Sequence, residues 1–141
     1  MYQKILVALD NSLTDEAMLP HIAALAKMHG SALLLLHVAD GWVARNYHRF
    51  QLADSEEMTD DRAYLDKVAS GLRAQGIVVE THLALGDPAT GILETAADSG
   101  CDLIAMTTHG HRFLKDLLYG STITRVRHRA KVPVLLVNAM K

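Results

Sequence analysis

The sequence predicts a single α/β domain of three layers, in which helices cover both faces of a parallel β-sheet. Short apolar segments alternate with amphipathic ones along all 141 residues, and this alternation is typical of parallel sheets. The first two apolar segments carry almost no polar residues, as is usual for strands buried on both faces. The length suits one ordinary domain spanning residues 1–141, with enough chain to bury a core.

Composition and charge argue against several classes of protein. Half of the residues are hydrophobic and 21% are charged, as in ordinary globular domains. The net charge of −2 gives no general attraction to nucleic acid or to an anionic membrane. We find no apolar run long enough to span a bilayer and no signal-peptide pattern. The single cysteine, Cys101, cannot form an internal disulfide, so we expect a cytoplasmic protein without nucleic-acid or membrane partners.

The N-terminal half contains two predicted strands and two predicted helices. Residues 4–9 and 32–38 are apolar runs bounded by turn residues, so we expect buried central strands there. Between them, apolar residues follow helical spacing after a start signal at Ser12, and Gly30 ends this helix. Residues 59–75 carry a second amphipathic helical pattern.

Residues 42–58 are the hardest part of the chain to interpret. They contain Trp42, Tyr47 and Phe50 among basic residues and show no clean period. We expect a loop or a short helix whose aromatic side chains could cover a nucleotide, an oligomer interface or simply the core.

The C-terminal half begins with residues 77–85, whose alternation of apolar and polar side chains predicts a half-exposed strand near a sheet edge. Asp87 can cap the following helix, and Pro88 suits its first position. Pro133 near the start of the last strand again favours a sheet edge. The other predicted elements are a strand, a helix and this last strand, at residues 102–107, 120–130 and 132–137.

Residues 103–126 form the stretch most typical of a ligand site. An apolar run ends at Gly110, and a basic segment then leads to Gly120 and Ser121, where we predict that a helix starts. The N-terminus of a helix offers unpaired N–H groups and partial positive charge, which suit a phosphate. The alternative is structural: both glycines could simply form turns, with Ser121 as an N-cap.

The predicted strand ends support the ligand interpretation. In parallel α/β sheets, ligands bind beyond the carboxyl ends of the strands, where the strand order reverses. Three predicted strand ends would meet at such a point: Leu9 and Asp10, His37 to Ala39, and Thr107 to Gly110. There Asp10 could bind a ribose hydroxyl or a metal, or only cap the first helix. For His37 we expect a satisfied residue at the edge of the core, and for Arg125 a surface charge.

Several segments together resemble one family over essentially the whole chain. They are Lys4-Ile5-Leu6-Val7-Ala8-Leu9-Asp10, Leu35-Leu36-His37-Val38, Gly86-Asp87-Pro88, Asp102-Leu103-Ile104, Thr108-His109-Gly110 with Gly120-Ser121, and Val132-Pro133-Val134-Leu135-Leu136-Val137. By these segments the sequence resembles the universal stress protein family. The resemblance implies a five-stranded parallel sheet of the Rossmann-like, adenine-nucleotide α-hydrolase-like type. It also implies a stress-response role and a homodimer formed through the last strand, from Val132 to Val137.

The ATP-binding members of that family carry a glycine, two residues, a second glycine, nine residues, and then Gly-Ser or Gly-Thr. In this sequence Gly110 matches the second glycine, and Gly120 with Ser121 matches the final pair after nine residues. The first glycine is replaced by Thr107, which adds bulk beside the expected sugar and triphosphate.

The resemblance assigns nucleotide contacts residue by residue. It places the adenosine at Ala8, Leu9 and Asp10, the base at Val38, the ribose and phosphate path at Met106, Thr107, His109 and Gly110, and the phosphate cradle at Gly120, Ser121, Thr122 and Ile123. The implied ligand is ATP, alone or with Mg²⁺ or Mn²⁺.

The sequence shows no motif that demands catalysis. It contains neither a Gly-x-Ser-x-Gly elbow nor a Gly-Lys-Ser phosphate loop, and the pair His109 and His111 is only a weak candidate for a metal site. Our first hypothesis is a regulatory ATP-binding protein whose nucleotide orders residues 110–120 and alters the surface offered to an unidentified partner. The alternatives are a dimeric interaction module that binds no nucleotide, and a weak ATPase or phosphotransfer enzyme.

Overall fold

A computed structural model describes residues 1–39, 56–108 and 113–139 of the chain. These residues form five strands and four helices, which alternate strictly along the chain. The elements are β1 (Lys4–Ala8), α1 (Asp15–His29), β2 (Ala32–Ala39), α2 (Glu56–Arg73), β3 (Val79–Leu85), α3 (Pro88–Asp98), β4 (Leu103–Thr107), α4 (Phe113–Arg129) and β5 (Val134–Val137).

The five strands form one parallel sheet in the order β3-β2-β1-β4-β5, which confirms the predicted fold class. The central strand β1 pairs with β2 on one side and with β4 on the other. The strand order therefore reverses between β1 and β4, and a ligand crevice is expected beyond their carboxyl ends.

Alternating residues of β1 supply the two hydrophobic cores, one on each face of the sheet. Ile5 and Val7 pack on one face with residues of α1 and α2 such as Ile22 and Leu65. Leu6 packs on the other face with residues that include Ile92 of α3 and Val126 of α4. All seven side chains are almost fully buried, and each buried side chain of this size contributes about 1.5–3 kcal/mol to stability.

Several predicted boundaries are confirmed. Gly30 ends α1 in the left-handed conformation, with φ of 67°. Asp87 caps α3 by accepting a hydrogen bond from the Thr90 N–H at 2.9 Å, and Pro88 is the first helical residue. The half-exposed strand β3 lies at one edge of the sheet and β5 at the other.

The predicted start of the last helix is wrong. This helix begins at Phe113 rather than at Gly120, so residues 113–120 are helical and are not part of a loop. Leucine and lysine residues between these two points favour helix, and one interior glycine costs only about 1 kcal/mol relative to alanine. In addition, α2 begins at Glu56 rather than at Thr59.

Two short stretches carry predictions that lie outside the described residues. They are residues 42–55, which include Trp42, Tyr47 and Phe50, and residues 109–112, which include His109 and Gly110. Among the residues that are described, none belongs to a helix long and apolar enough to cross a membrane.

Candidate functional site

A pocket lies at the carboxyl ends of β1, β2 and β4, beside the point where the strand order reverses. Six of the residues that we predicted to contact a nucleotide line it: Ala8, Leu9, Asp10, Val38, Met106 and Thr107. The other described residues in its lining are Leu36, Pro88 and Ile92. Residues that are distant in the sequence thus come together because three parallel strands end at the same edge.

The wall of this pocket depends on the close approach of α3 to β2. A Cβ atom added at Gly91 would lie 3.0 Å from Cγ2 of Val38, which is closer than most real contacts of a Cβ atom. With any other residue at position 91, Val38 would have to shift by a few tenths of an ångström. Sequence reasoning missed Gly91, because it occupies an ordinary position of an amphipathic helix.

Asp10 lies at the end of β1 and is 8% exposed. Its Oδ1 atom accepts hydrogen bonds from Ser12 Oγ at 2.6 Å and Thr14 Oγ1 at 3.0 Å. These partners are hydroxyl groups and not the N–H groups of a helix start, so the side chain does not act as a helix cap. Both bonds use Oδ1, so neither of them occupies Oδ2, which can accept a hydrogen bond of its own.

The carboxylate of Asp15 anchors the backbone beside Asp10. Its Oδ1 atom accepts from the Asp10 N–H at 3.3 Å, and its Oδ2 atom accepts from the Asn11 N–H at 3.0 Å and from Tyr64 Oη at 2.6 Å. Asp15 is 1% exposed, and this burial raises its pKa to about 6 because the charged form is disfavoured away from water. Burial and the neighbouring Asp15 carboxylate raise the pKa of Tyr64.

A second set of contacts ties the same loop to β2 and α2. Asn11 has a positive φ of 59°, and its Nδ2 donates to Asp61 Oδ1 at 3.0 Å. His37 contacts the Leu9 carbonyl oxygen through Nδ1 at 2.9 Å, so the expectation of a satisfied histidine is confirmed. Its Nε2 lies 3.1 Å from Asp61 Oδ2 but is not aligned with it as a hydrogen bond.

The predicted phosphate cradle has a different environment. Gly120, Ser121, Thr122 and Ile123 lie inside α4, so their backbone N–H groups face carbonyl groups of the preceding turn. The side chain of Ser121 is exposed, whereas Thr122 and Ile123 are buried and Ile123 joins the core. Ser121, Thr122 and Ile123 do not line the pocket, and the contact of all four residues with phosphate stays a prediction.

An exposed ion pair borders the site. Arg125 of α4 donates two hydrogen bonds of 2.8 Å to the two carboxylate oxygens of Asp87. These bonds and those from Thr90 hold the pKa of Asp87 well below its usual range. Arg125 is therefore a surface charge, as predicted, and it links α4 to the start of α3. Within the described part of the chain, no three His, Cys, Asp or Glu side chains form a group that could hold a metal ion.

Comparisons with known proteins agree with this fold. The sequence model of the Universal stress protein family matches residues 1–138. Universal stress protein MJ0577 of Methanocaldococcus jannaschii is 28% identical, over 97% of this chain and 95% of its own. The solved structure of MJ0577 aligns with a TM-score of 0.83 at 30% identity, covering 100% of this chain and 99% of that one.

Two solved nucleotide complexes share the fold at lower identity. A universal stress protein in complex with cAMP has a TM-score of 0.71 at 21% identity, with 99% of this chain and 98% of that one covered. A universal stress protein from Archaeoglobus fulgidus in complex with dAMP has a TM-score of 0.71 at 22% identity, with 96% and 98% covered. At these identities the two likenesses bear on the fold alone.

Proposed function

Because this chain belongs to the universal stress protein family, we propose that it binds an adenine nucleotide in the pocket at the carboxyl ends of β1, β2 and β4. The supporting observation is that six residues from three separate strand ends line this one pocket. That two proteins of the same fold were solved with cAMP and dAMP agrees with an adenine nucleotide as the ligand class.

The chemistry of the lining suits a nucleoside. Val38, Ile92 and Met106 supply apolar surface for a purine ring, as is usual in cofactor pockets. The Oδ2 atom of Asp10 can accept a hydrogen bond from a ribose hydroxyl, since its Oδ1 atom already holds Ser12 and Thr14. A charged acceptor at the edge of an apolar surface would orient the sugar.

We propose ATP, alone or with Mg²⁺ or Mn²⁺, as the specific ligand. Its phosphates would pass Thr107, His109 and Gly110 towards the start of α4 at Phe113, where the free N–H groups and partial positive charge of a helix N-terminus favour anions. We further propose a regulatory role in the stress response, with little or no turnover of the nucleotide.

The oligomeric state belongs to the same proposal. Strand β5 is an apolar, half-buried strand at the edge of the sheet, where it pairs with β4. Exposed strand edges of this kind tend to pair with another chain. We propose a homodimer formed through residues 132–137.

The test of nucleotide binding is a calorimetric titration of ATP with Mg²⁺ into the wild-type protein and two variants. We expect a dissociation constant in the micromolar range, about −8 kcal/mol. The substitution Asp10→Asn keeps one oxygen for Ser12 and Thr14 but replaces Oδ2 with an NH2 group, which cannot accept a hydrogen bond. It should therefore weaken binding by about tenfold or more. Asp98→Asn, at an exposed position at the end of α3, is the matched control and should bind as the wild type does.

The outcomes separate the three hypotheses. Absence of binding by the wild type would contradict the proposal and favour the interaction module that binds no nucleotide. Equal affinities of the wild type and Asp10→Asn would place the ligand elsewhere. Steady-state release of phosphate would favour the weak ATPase.

A further inference from the structure

We propose that Asp15 is a pH-sensitive anchor of the loop between β1 and α1, and that its protonation releases this loop and weakens nucleotide binding. Asp15 does not line the pocket, so it would act as a positioning residue through its neighbours. The inference rests on the proposed function, because it concerns regulation of the same pocket.

The hydrogen bonds of Asp15 require its charged form. Two oxygen atoms accept from three donors: the N–H groups of Asp10 and Asn11 and the hydroxyl of Tyr64. A carboxylate has acceptor sites for all three donors, whereas a protonated carboxyl carries a hydrogen on one of its oxygens. Protonation therefore removes or weakens at least one of these contacts.

The conformation of the loop depends on hydrogen bonds to Asn11. This residue adopts a φ of 59°, in the left-handed region that asparagine tolerates when its polar groups are hydrogen-bonded locally. The Asp15 carboxylate fixes its N–H group, and Asp61 fixes its side-chain amide. The next residue towards β1 is Asp10, which lines the pocket, so movement of this backbone would displace the proposed ribose contact.

The surroundings place the titration of Asp15 in an accessible pH range. Burial raises its pKa most, the charge of Asp10 raises it further, and the hydrogen bond from Tyr64 lowers it, with a resulting pKa of about 6. Among the described residues, the titratable groups facing this region are Asp10 beyond the end of β1, Glu16 from α1, His37 from β2, and Asp61 and Tyr64 from α2. Asp15 is accordingly charged at pH 8 and mostly neutral at pH 5.

The experiment has two arms, and the first needs no nucleotide. Amide NMR spectra of the free protein are recorded from pH 8 to pH 5, and the signals of Asp10 and Asn11 should shift with a midpoint of about 6. Tyr64→Phe removes the hydrogen bond that lowers the Asp15 pKa, so the midpoint should move to higher pH. Asp66→Asn changes an exposed acid on the same helix and should leave the midpoint unchanged.

The second arm measures ATP affinity over the same pH range in the wild type, Tyr64→Phe and Asp66→Asn. The titration of ATP itself is common to all three proteins, so it cancels when affinities are compared at equal pH. We expect the affinity of Tyr64→Phe relative to Asp66→Asn to be near one at pH 8 and to fall several-fold near pH 6.5, where only the former has a largely protonated Asp15. A merely structural role of Tyr64 would instead lower the affinity equally at every pH.

Each outcome decides a different statement. Amide signals that do not titrate near pH 6, or a midpoint that does not change in Tyr64→Phe, would contradict the proposal that Asp15 is a pH-sensitive anchor of the loop. Amides that titrate while the affinity ratio stays constant would overturn its coupling to the nucleotide. Failure of the wild type to bind ATP at pH 8 would overturn the proposed function and the coupling with it, whereas the first arm would still decide the anchor.

Discussion

Asp15 is the residue at which stability and the proposed function oppose each other. Its pKa in the folded protein is about 6, against 3.8 for an ordinary aspartate. A group with a raised folded pKa stabilises the fold fully below its unfolded pKa, and this contribution is lost as the pH rises through the folded pKa. Asp15 therefore makes the fold about 3 kcal/mol less stable at a pH above its folded pKa than at a pH below its unfolded pKa.

The direction of this pH dependence of stability gives a prediction for Asp15→Asn, whose side chain does not titrate. The free energy of unfolding of the wild type, relative to that of the variant, should increase by up to about 3 kcal/mol as the pH falls from 8 to 4. Urea denaturation at several pH values measures it, with Asp66→Asn as the control that lies in water. Parallel curves for the wild type and Asp15→Asn would show that Asp15 has an ordinary pKa.

At the scale of the element, two helical glycines form a matched pair. Gly71 in α2 has nothing within 4 Å of an added Cβ, whereas Gly91 in α3 would bring its Cβ within 3.0 Å of Val38. Gly71→Ala should stabilise the protein by about 0.5–1 kcal/mol, because alanine is the better helix former. Gly91→Ala should not show this increase in stability, because the added Cβ atom would press against Val38.

The same pair links packing to the pocket. By displacing Val38, Gly91→Ala should also weaken ATP binding several-fold, whereas Gly71→Ala should leave it unchanged. Urea denaturation and calorimetry on the two variants provide both numbers. Equal gains in stability with equal affinities would mean that α3 can move away from β2 without disturbing the pocket.

The strands were predictable because their apolar runs are long and specific. Residues such as Leu33 to Leu36 are buried on both faces of a central strand, and few other structures explain such a run. The start of α4 was not predictable in this way. The small cost of Gly120 in a helix competes with the gain from continuous helical hydrogen bonds, and sequence spacing does not show which is larger.

The network around Asp15 was also beyond reach of the sequence. In the sequence, Asp15 cannot be told apart from an ordinary acid in the first turn of a helix, where negative charge is favourable. Its contact with Tyr64 joins residues 49 positions apart, and it depends on how α2 packs beside the loop. The site residues at strand ends were accessible because the topology of parallel sheets brings strand ends together.

At the scale of the whole molecule, β5 decides whether the protein is a dimer. The N–H groups of Ile104 and Thr108 donate to the carbonyl groups of Pro133 and Val137. Because successive residues of a strand face opposite neighbours, Val134 aims its backbone N–H away from β4 and towards the free edge.

Val134→Pro therefore removes an outward donor without breaking a bond to β4. We expect the wild type to elute with the mass of two chains in size-exclusion chromatography with light scattering, and this variant with the mass of one. Val134→Ala keeps the N–H group and should remain dimeric, and far-UV circular dichroism checks that both variants are folded. A dimeric Val134→Pro variant would exclude pairing through this edge.

The most direct test of the proposed nucleotide site is to map ATP binding onto the backbone by NMR. ATP with Mg²⁺ should cause saturable amide shifts concentrated at Ala8 to Asp10, at Val38, and at Met106 and Thr107, the residues that line the pocket at the strand ends. A second cleft, between α3 and the end of α4 and lined by Thr90, Arg129 and Val132 among others, serves as the internal comparison. Shifts concentrated in that cleft, or no saturable shifts at all, would contradict the account.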